Sequence, residues 1–177
     1  MKNYIPTIDI SSLVSSKFNS LPANNTIKKI EKACIEVGFF QITGHGIKKK
    51  EINNIAKIGN FFFDSPIKNK MKLAPKKWNK INKNVYRGYF PYDVNGKEGL
   101  DIGDLKVTKK YALKLKNPYI EYLDLNKAIN KKSIKLLSNY FDQLFILGEI
   151  LFKSIIQLYK KDTKNSKLAF ARLKTLS

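Results

Sequence analysis

The stretch Gly38-Phe39-Phe40-Gln41-Ile42-Thr43-Gly44-His45-Gly46-Ile47 sets the reading of this chain. Phe39 to Thr43 is rich in aromatic and β-branched residues, which suit a pleated, half-buried surface. Gly44-His45-Gly46 closes that run as a turn. Just upstream, Ile27, Ile30, Cys34 and Val37 fall at i, i+3, i+7 and i+10, one stripe of an amphipathic helix. Asn25 or Thr26 is placed to cap its start, and Gly38 to supply the left-handed residue at its end. Cys34 lies on the stripe and is expected to be a buried structural thiol. Further back, Tyr4 to Ile10 alternates apolar and polar residues and reads as a short strand, and Ser11 to Asn25 reads as a polar loop.

Downstream, Ile52, Ile55, Gly59 and Phe62 are in helical register, with Ala56 and Phe63 beside them. Ser65-Pro66 reads as a cap and first-turn proline opening a short helix through Lys72. Asn84 to Tyr92 reads as a strand, and Asp93 to Asp104 as a glycine-containing loop. Ser133 to Tyr159 is the most apolar element. Its seam, from Ile134 and Leu137 through Leu144 and Leu151 to Ile155 and Leu158, is widened by Tyr140, Leu147, Ile150 and Ile156. A helix apolar over most of its circumference calls for burial on something large.

The composition excludes several classes. The chain has 177 residues with 43% hydrophobic content, one Cys and one His. That suits a single ordinary domain with a true core, not a disordered chain. A disulfide framework, a Cys-based zinc site and a two-imidazole metal centre cannot be assembled from one copy. No secretory signal follows Met1, and Glu149 and Lys153 interrupt the apolar helix, so a cytoplasmic protein without a membrane span is expected. There is no GxGxxG, no P-loop and no nucleophile elbow.

The formal net charge is +20, from 34 Lys and Arg against 14 Asp and Glu. The only arginines are Arg87 and Arg172. Lysine is a solvated point charge, whereas base recognition favours the arginine fork. Lysines scattered along the chain, with abundant Asn and Ile, fit an AT-rich coding bias. Non-specific adhesion to polyanions follows from such a charge, but specific nucleic-acid recognition does not.

Four pieces stand in order: Ile5-Pro6-Thr7-Ile8-Asp9-Ile10, Gly38-Phe39-Phe40 running to His45-Gly46-Ile47, Phe61-Phe62-Phe63 with Pro66 and Lys70, and Arg87-Gly88-Tyr89. Together they resemble the N-terminal region of the isopenicillin N synthase-like family of 2-oxoglutarate- and Fe(II)-dependent oxygenases. The resemblance implies an α+β fold. Short strands and helices, then the long helix, precede a double-stranded β-helix (jelly-roll) core that is largely missing here. The implied domains are 1–120, the dioxygenase N-terminal domain, and 121–177, the long helix and the start of a truncated core.

The resemblance also implies what each residue does. Gly38, Phe39, Phe40, His45 and Gly46 form an architectural segment, and His45 is not an iron ligand. The family's HxD and distant His ligands, and its RxS motif for 2-oxoglutarate, have no counterpart here. Fe(II) and 2-oxoglutarate belong to the complete family enzyme, and none is expected to bind this chain. Arg87 and Tyr89 carry two readings. As substrate-binding residues, a cation and a phenol would orient an anionic small molecule; as packing residues, Tyr89 would fill a strand face and Arg87 would pair at the surface.

Two functions follow as expectations. One is the N-terminal portion of an oxygenase that oxidises a small molecule, inactive as this chain, with a separately encoded catalytic core or self-association completing it. The alternative is a stand-alone basic interaction module that binds a protein or a polyanion. On the first, one face of Leu137, Leu144, Leu151 and Ile155 should be exposed, and strands near Ile5–Ile10 and Phe39–Thr43 should lack pairing partners.

Overall fold

The computed structural model describes residues 5–15, 20–75, 87–92, 96–114 and 120–158. In chain order the elements are β1 (Thr7–Asp9), α1 (Ser11–Val14), α2 (Leu21–Glu36), β2 (Gln41–Thr43), α3 (Lys49–Phe63), α4 (Ile67–Lys70), a 3-10 turn (Met71–Leu73), β3 (Gly88–Phe90), β4 (Gly99–Asp101), α5 (Lys109–Lys114), a second 3-10 turn (Leu125–Lys127) and α6 (Lys131–Leu158). Helices with short strands give the mixed α+β class. The chain divides into two compact units, residues 1–48 with 143–177, and residues 49–142.

In the first unit β1 and β2 pair in parallel, with Thr7 opposite Gln41 and Asp9 opposite Thr43. Gln41 N donates to Pro6 O at 2.8 Å and Ile10 N to Thr43 O at 2.9 Å, extending the ladder at both ends. The two strands expected to lack partners are therefore each other's partner. A strand–helix–strand run returns the chain beside its first strand, and parallel pairing needs such a crossover.

The crossover begins earlier than the sequence pattern indicated. Ser20, not Asn25 or Thr26, caps α2, its hydroxyl accepting from Ala23 N at 3.4 Å, and Pro22 sits in the first turn. Proline there sacrifices no intrahelical bond, so it opens a helix and does not mark a loop. Ser11–Val14 is likewise helical, burying Leu13. The buried face of α2 is Ala23, Thr26, Ile27, Ile30 and Ala33. Cys34 lies one residue off that face and is an exposed free thiol, so the expected burial is corrected: Ala33 takes the inward position.

Ile8, Ile10, Leu13, Ile27 and Ile30 form this unit's core with Leu147, and Ile150, Leu151, Ile155 and Leu158 of α6 pack against it. Each large aliphatic side chain so buried stabilises the fold by roughly 1.5–3 kcal/mol.

In the second unit β3 and β4 form an antiparallel hairpin, Gly88 opposite Asp101 and Phe90 opposite Gly99. The expected loop from Asp93 to Asp104 thus contains a strand; glycines at 96 and 99 masked it in the sequence pattern. The expected strand from Asn84 is described only from Arg87 onward. Pro66 is the N-cap of α4, without a capping side chain, and the Ser65 hydroxyl donates instead to Phe62 O at 2.7 Å. Phe62, Leu73, Tyr89, Leu125 and Ile129 form the core, with Ile134 and Leu137 of α6 against it.

The α6 helix therefore finds partners within the chain, its first part in one unit and its last in the other. Of the four residues expected to be exposed, only Leu144 is, at 43%; Leu137, Leu151 and Ile155 are half-buried, while Ile146 is 56% exposed. No helix among the described residues is long and apolar enough to cross a membrane.

Candidate functional site

The segment from Gly38 begins where α2 ends, Gly38 N donating to Ala33 O at 3.0 Å with φ +81°. Phe39 is 70% exposed, whereas Phe40 packs against the first unit's core. After β2 the chain turns at Gly44, where φ is +68° and a Cβ would overlap Asp9 Oδ1 and press on Ser11. The same Oδ1 accepts Ser11 N at 2.9 Å. That bond holds the Asp9 carboxyl below its ordinary range. Asp9 of the first motif and Gly44 of the second thus form one joint. His45 is half-buried, and its Nδ1 accepts Ile47 N–H at 3.1 Å. An imidazole accepting at Nδ1 carries its proton on Nε2. Gly46 follows at φ +81°.

The Arg87-Gly88-Tyr89 run enters β3 in the second unit. Tyr89 is 1% exposed. Its ring stands edge-on to Phe62 at 5.8 Å between centroids, and Phe62 meets Phe63 in the same way at 5.2 Å. The phenol donates to Glu98 Oε1 at 2.5 Å. Lys70 Nζ donates to the same oxygen at 2.5 Å and to Phe63 O at 2.9 Å, and lies 5.6 Å from the Tyr89 ring centroid. An ammonium on a terminal carbonyl of α3 also complements the negative end of that helix.

Each member of this node tunes the others. The bond from Lys70 holds Glu98 below the carboxylate range, and the bond to Glu98 holds Lys70 above the ammonium range. Burial, then the Glu98 carboxylate, pushes the Tyr89 phenol up. The result is a proton-bearing phenol and a full ion pair across neutral pH.

Gly88 is the residue that permits this seating. It has φ +127°, and a Cβ there would lie 2.7 Å from Leu73 O and 2.9 Å from Pro75 N. Arg87 N donates to Glu121 Oε2 at 3.2 Å, Glu121 being 4% exposed. The Arg87 side chain lies on Gly103, where a Cβ would overlap Nε. With Lys72, Lys127 and Asp124 it lines a cavity of about 10 Å3, room for one water. Tyr89 does not line that cavity. Arg87 and Tyr89 are therefore only two residues apart but serve different surroundings. Asp104 forms a turn, its Oδ1 accepting Lys106 N at 2.8 Å.

Glu98 was invisible to sequence reasoning. It lies in a polar run with no periodicity, and both its partners are distant in sequence. The nearest available signal was Lys70, seven residues after Phe63.

The residues present do not fit an iron centre. The only imidazole has its Nδ1 occupied by Ile47 N–H, and among the described residues no three His, Cys, Asp or Glu side chains gather. A non-haem Fe(II) site requires two imidazoles and a carboxylate on one face.

Residues 5–133 match the family described as non-haem dioxygenase in morphine synthesis N-terminal. The chain is 37% identical over 87 residues to the 2-oxoglutarate-dependent dioxygenase tropC of Talaromyces stipitatus, covering 49% of this chain and 26% of that protein. It is 34% identical over 104 residues to homoarginine-6-hydroxylase 2-ODD-C23.2 of Arabidopsis thaliana, covering 55% and 28%. It is 31% identical over 118 residues to the 2-oxoglutarate-dependent dioxygenase thnC of Trichoderma harzianum, covering 67% and 34%. The matched part spans about a quarter to a third of these relatives' own lengths. Residues 5–133, the span of the family match, include both the Asp9–Gly44 joint and the Lys70–Tyr89–Glu98 node. The chain belongs to the non-haem dioxygenase N-terminal family, the N-terminal region of the 2-oxoglutarate- and Fe(II)-dependent oxygenases.

Proposed function

We propose that residues 1–177 are the N-terminal portion of a cytoplasmic 2-oxoglutarate- and Fe(II)-dependent oxygenase acting on a small molecule, and that they provide support and substrate contact without the metal centre. On this reading residues 1–120 are the N-terminal domain and 121–177 lead into a jelly-roll core. That core, on the same or a separate polypeptide, would bring the iron ligands and the 2-oxoglutarate site. Arg87, held from its backbone and its side chain beside Lys72 and Lys127, is the residue suited to meet an anionic group of the substrate. Tyr89 serves it by anchoring the strand. The observation that carries the reading is the single imidazole already engaged in its own turn.

The test is direct. Purified chain titrated anaerobically with Fe(II), then supplied with 2-oxoglutarate and air, should release no succinate above a protein-free control. Chelator-sensitive succinate release by this chain would overturn the proposal.

A further inference from the structure

The β3–β4 hairpin is a small structure docked on the core of the second unit. Each strand has three residues, and among the described residues the sheet has only these two strands. A two-stranded pair of this size is marginal by itself, so its position rests on what it is docked to. The Tyr89 ring packs on Phe62, and the Gly88 backbone lies against Leu73 and Pro75. Leu100 of β4 packs on the same core, and Arg87 N, just before β3, donates to Glu121 Oε2. A further attachment is polar. Glu98, the residue preceding β4, takes the Tyr89 phenol of β3 and the Lys70 ammonium at the end of α4 on one carboxylate oxygen. One side chain thereby ties both strands to each other and to the helix beneath them. Glu98 is also well covered, with 21% of its side chain exposed, and Lys70 has 11%. Water therefore replaces these bonds poorly when the hairpin is seated, and freely when it lifts.

We infer that Glu98 is a latch: the β3–β4 hairpin opens as a local unit, and the bonds from Glu98 to Lys70 and Tyr89 set how often it does so. Opening would lift Gly88 from Leu73 and withdraw Arg87 from its cavity. The latch is a positioning device and touches no ligand. It stands on the hairpin's own geometry, whatever Arg87 binds.

Peptide-resolved amide hydrogen exchange on the full chain tests this. In Glu98→Ala, amides of 88–90 and 99–101 should exchange about tenfold faster, the effect of losing a charge-assisted bond, while those of α2 and β2 keep wild-type rates. Glu98→Gln, which keeps shape and an acceptor oxygen but no charge, should give a smaller rise in the same peptides and guards against a misfolded alanine variant. Tyr89→Phe, which leaves the Lys70 bond, should also fall between wild type and Glu98→Ala. Wild-type exchange in the hairpin of Glu98→Ala and Glu98→Gln would overturn the inference. So would an acceleration no larger in the hairpin than in α2.

Discussion

Replacing Gly88 with alanine should be among the most damaging one-carbon changes in this protein. Two effects act together. At φ +127° an L-residue is in a region used almost only by glycine, which costs about 1–3 kcal/mol. The added Cβ would also sit 2.7 Å from Leu73 O and 2.9 Å from Pro75 N. Both are backbone atoms, so relief requires moving the chain and not a flexible side-chain tip. Overpacking of this kind adds about 1–3 kcal/mol. The combined loss of roughly 2–6 kcal/mol is a large part of the ~5–15 kcal/mol that stabilises an ordinary domain. For a chain of this size it corresponds to a fall in thermal midpoint of roughly 4–24 °C. Gly99→Ala is the control. It is on the facing strand of the same hairpin, with no atom within 4 Å of its added Cβ and no positive φ. Thermal melts followed by circular dichroism should show a large drop for Gly88→Ala and less than about 1 kcal/mol change for Gly99→Ala. Equal melting of the two variants would refute the close approach of β3 to the Leu73–Pro75 backbone.

Other outcomes are expected. His45→Ala removes the acceptor for Ile47 N–H and should cost about 0.5–1.5 kcal/mol in denaturant unfolding, as a half-buried neutral bond does. A wild-type midpoint would show that the turn holds without the imidazole. Stability should be level through neutral pH and fall at both ends. Asp9 and Glu98 are depressed from ordinary values of 3.8 and 4.5, so their contribution is present above those values and lost as pH drops through the folded ones. Lys70 and Tyr89 are raised from 10.5 and 10.0, so theirs is complete below those values and lost as pH climbs past them. Melts across pH should show a shallower acid arm in Glu98→Gln. Binding to duplex DNA should collapse as salt rises and show no sequence preference, because dispersed lysines contact phosphates and not base edges. A sequence-selective complex at physiological salt would favour an interaction module.

The sequence by itself determined the family and most of the element order. Short-range signals carried these: the alternation at Ile5–Ile10, the helical stripe ending at Gly38, the Gly-His-Gly turn and the apolar run of α6. Gly44 was legible as punctuation and Gly88 as part of the Arg87-Gly88-Tyr89 motif, but the reason for each was not, since the atoms that exclude a Cβ come from Asp9 and from Leu73–Pro75. Tertiary structure decided what depends on partners far apart in the chain. It paired β1 with β2, turned Cys34 outward because a helical face is set by what packs on it, and gave α6 cores to bury against. It also separated Arg87 from Tyr89: Arg87 stands just before β3 with its side chain on Gly103, whereas Tyr89, within β3, packs on Phe62. Glu98 shows the limit most plainly. A carboxylate in a polar run resembles any solvated loop residue until Lys70 and Tyr89, 28 and 9 residues away, are folded onto it.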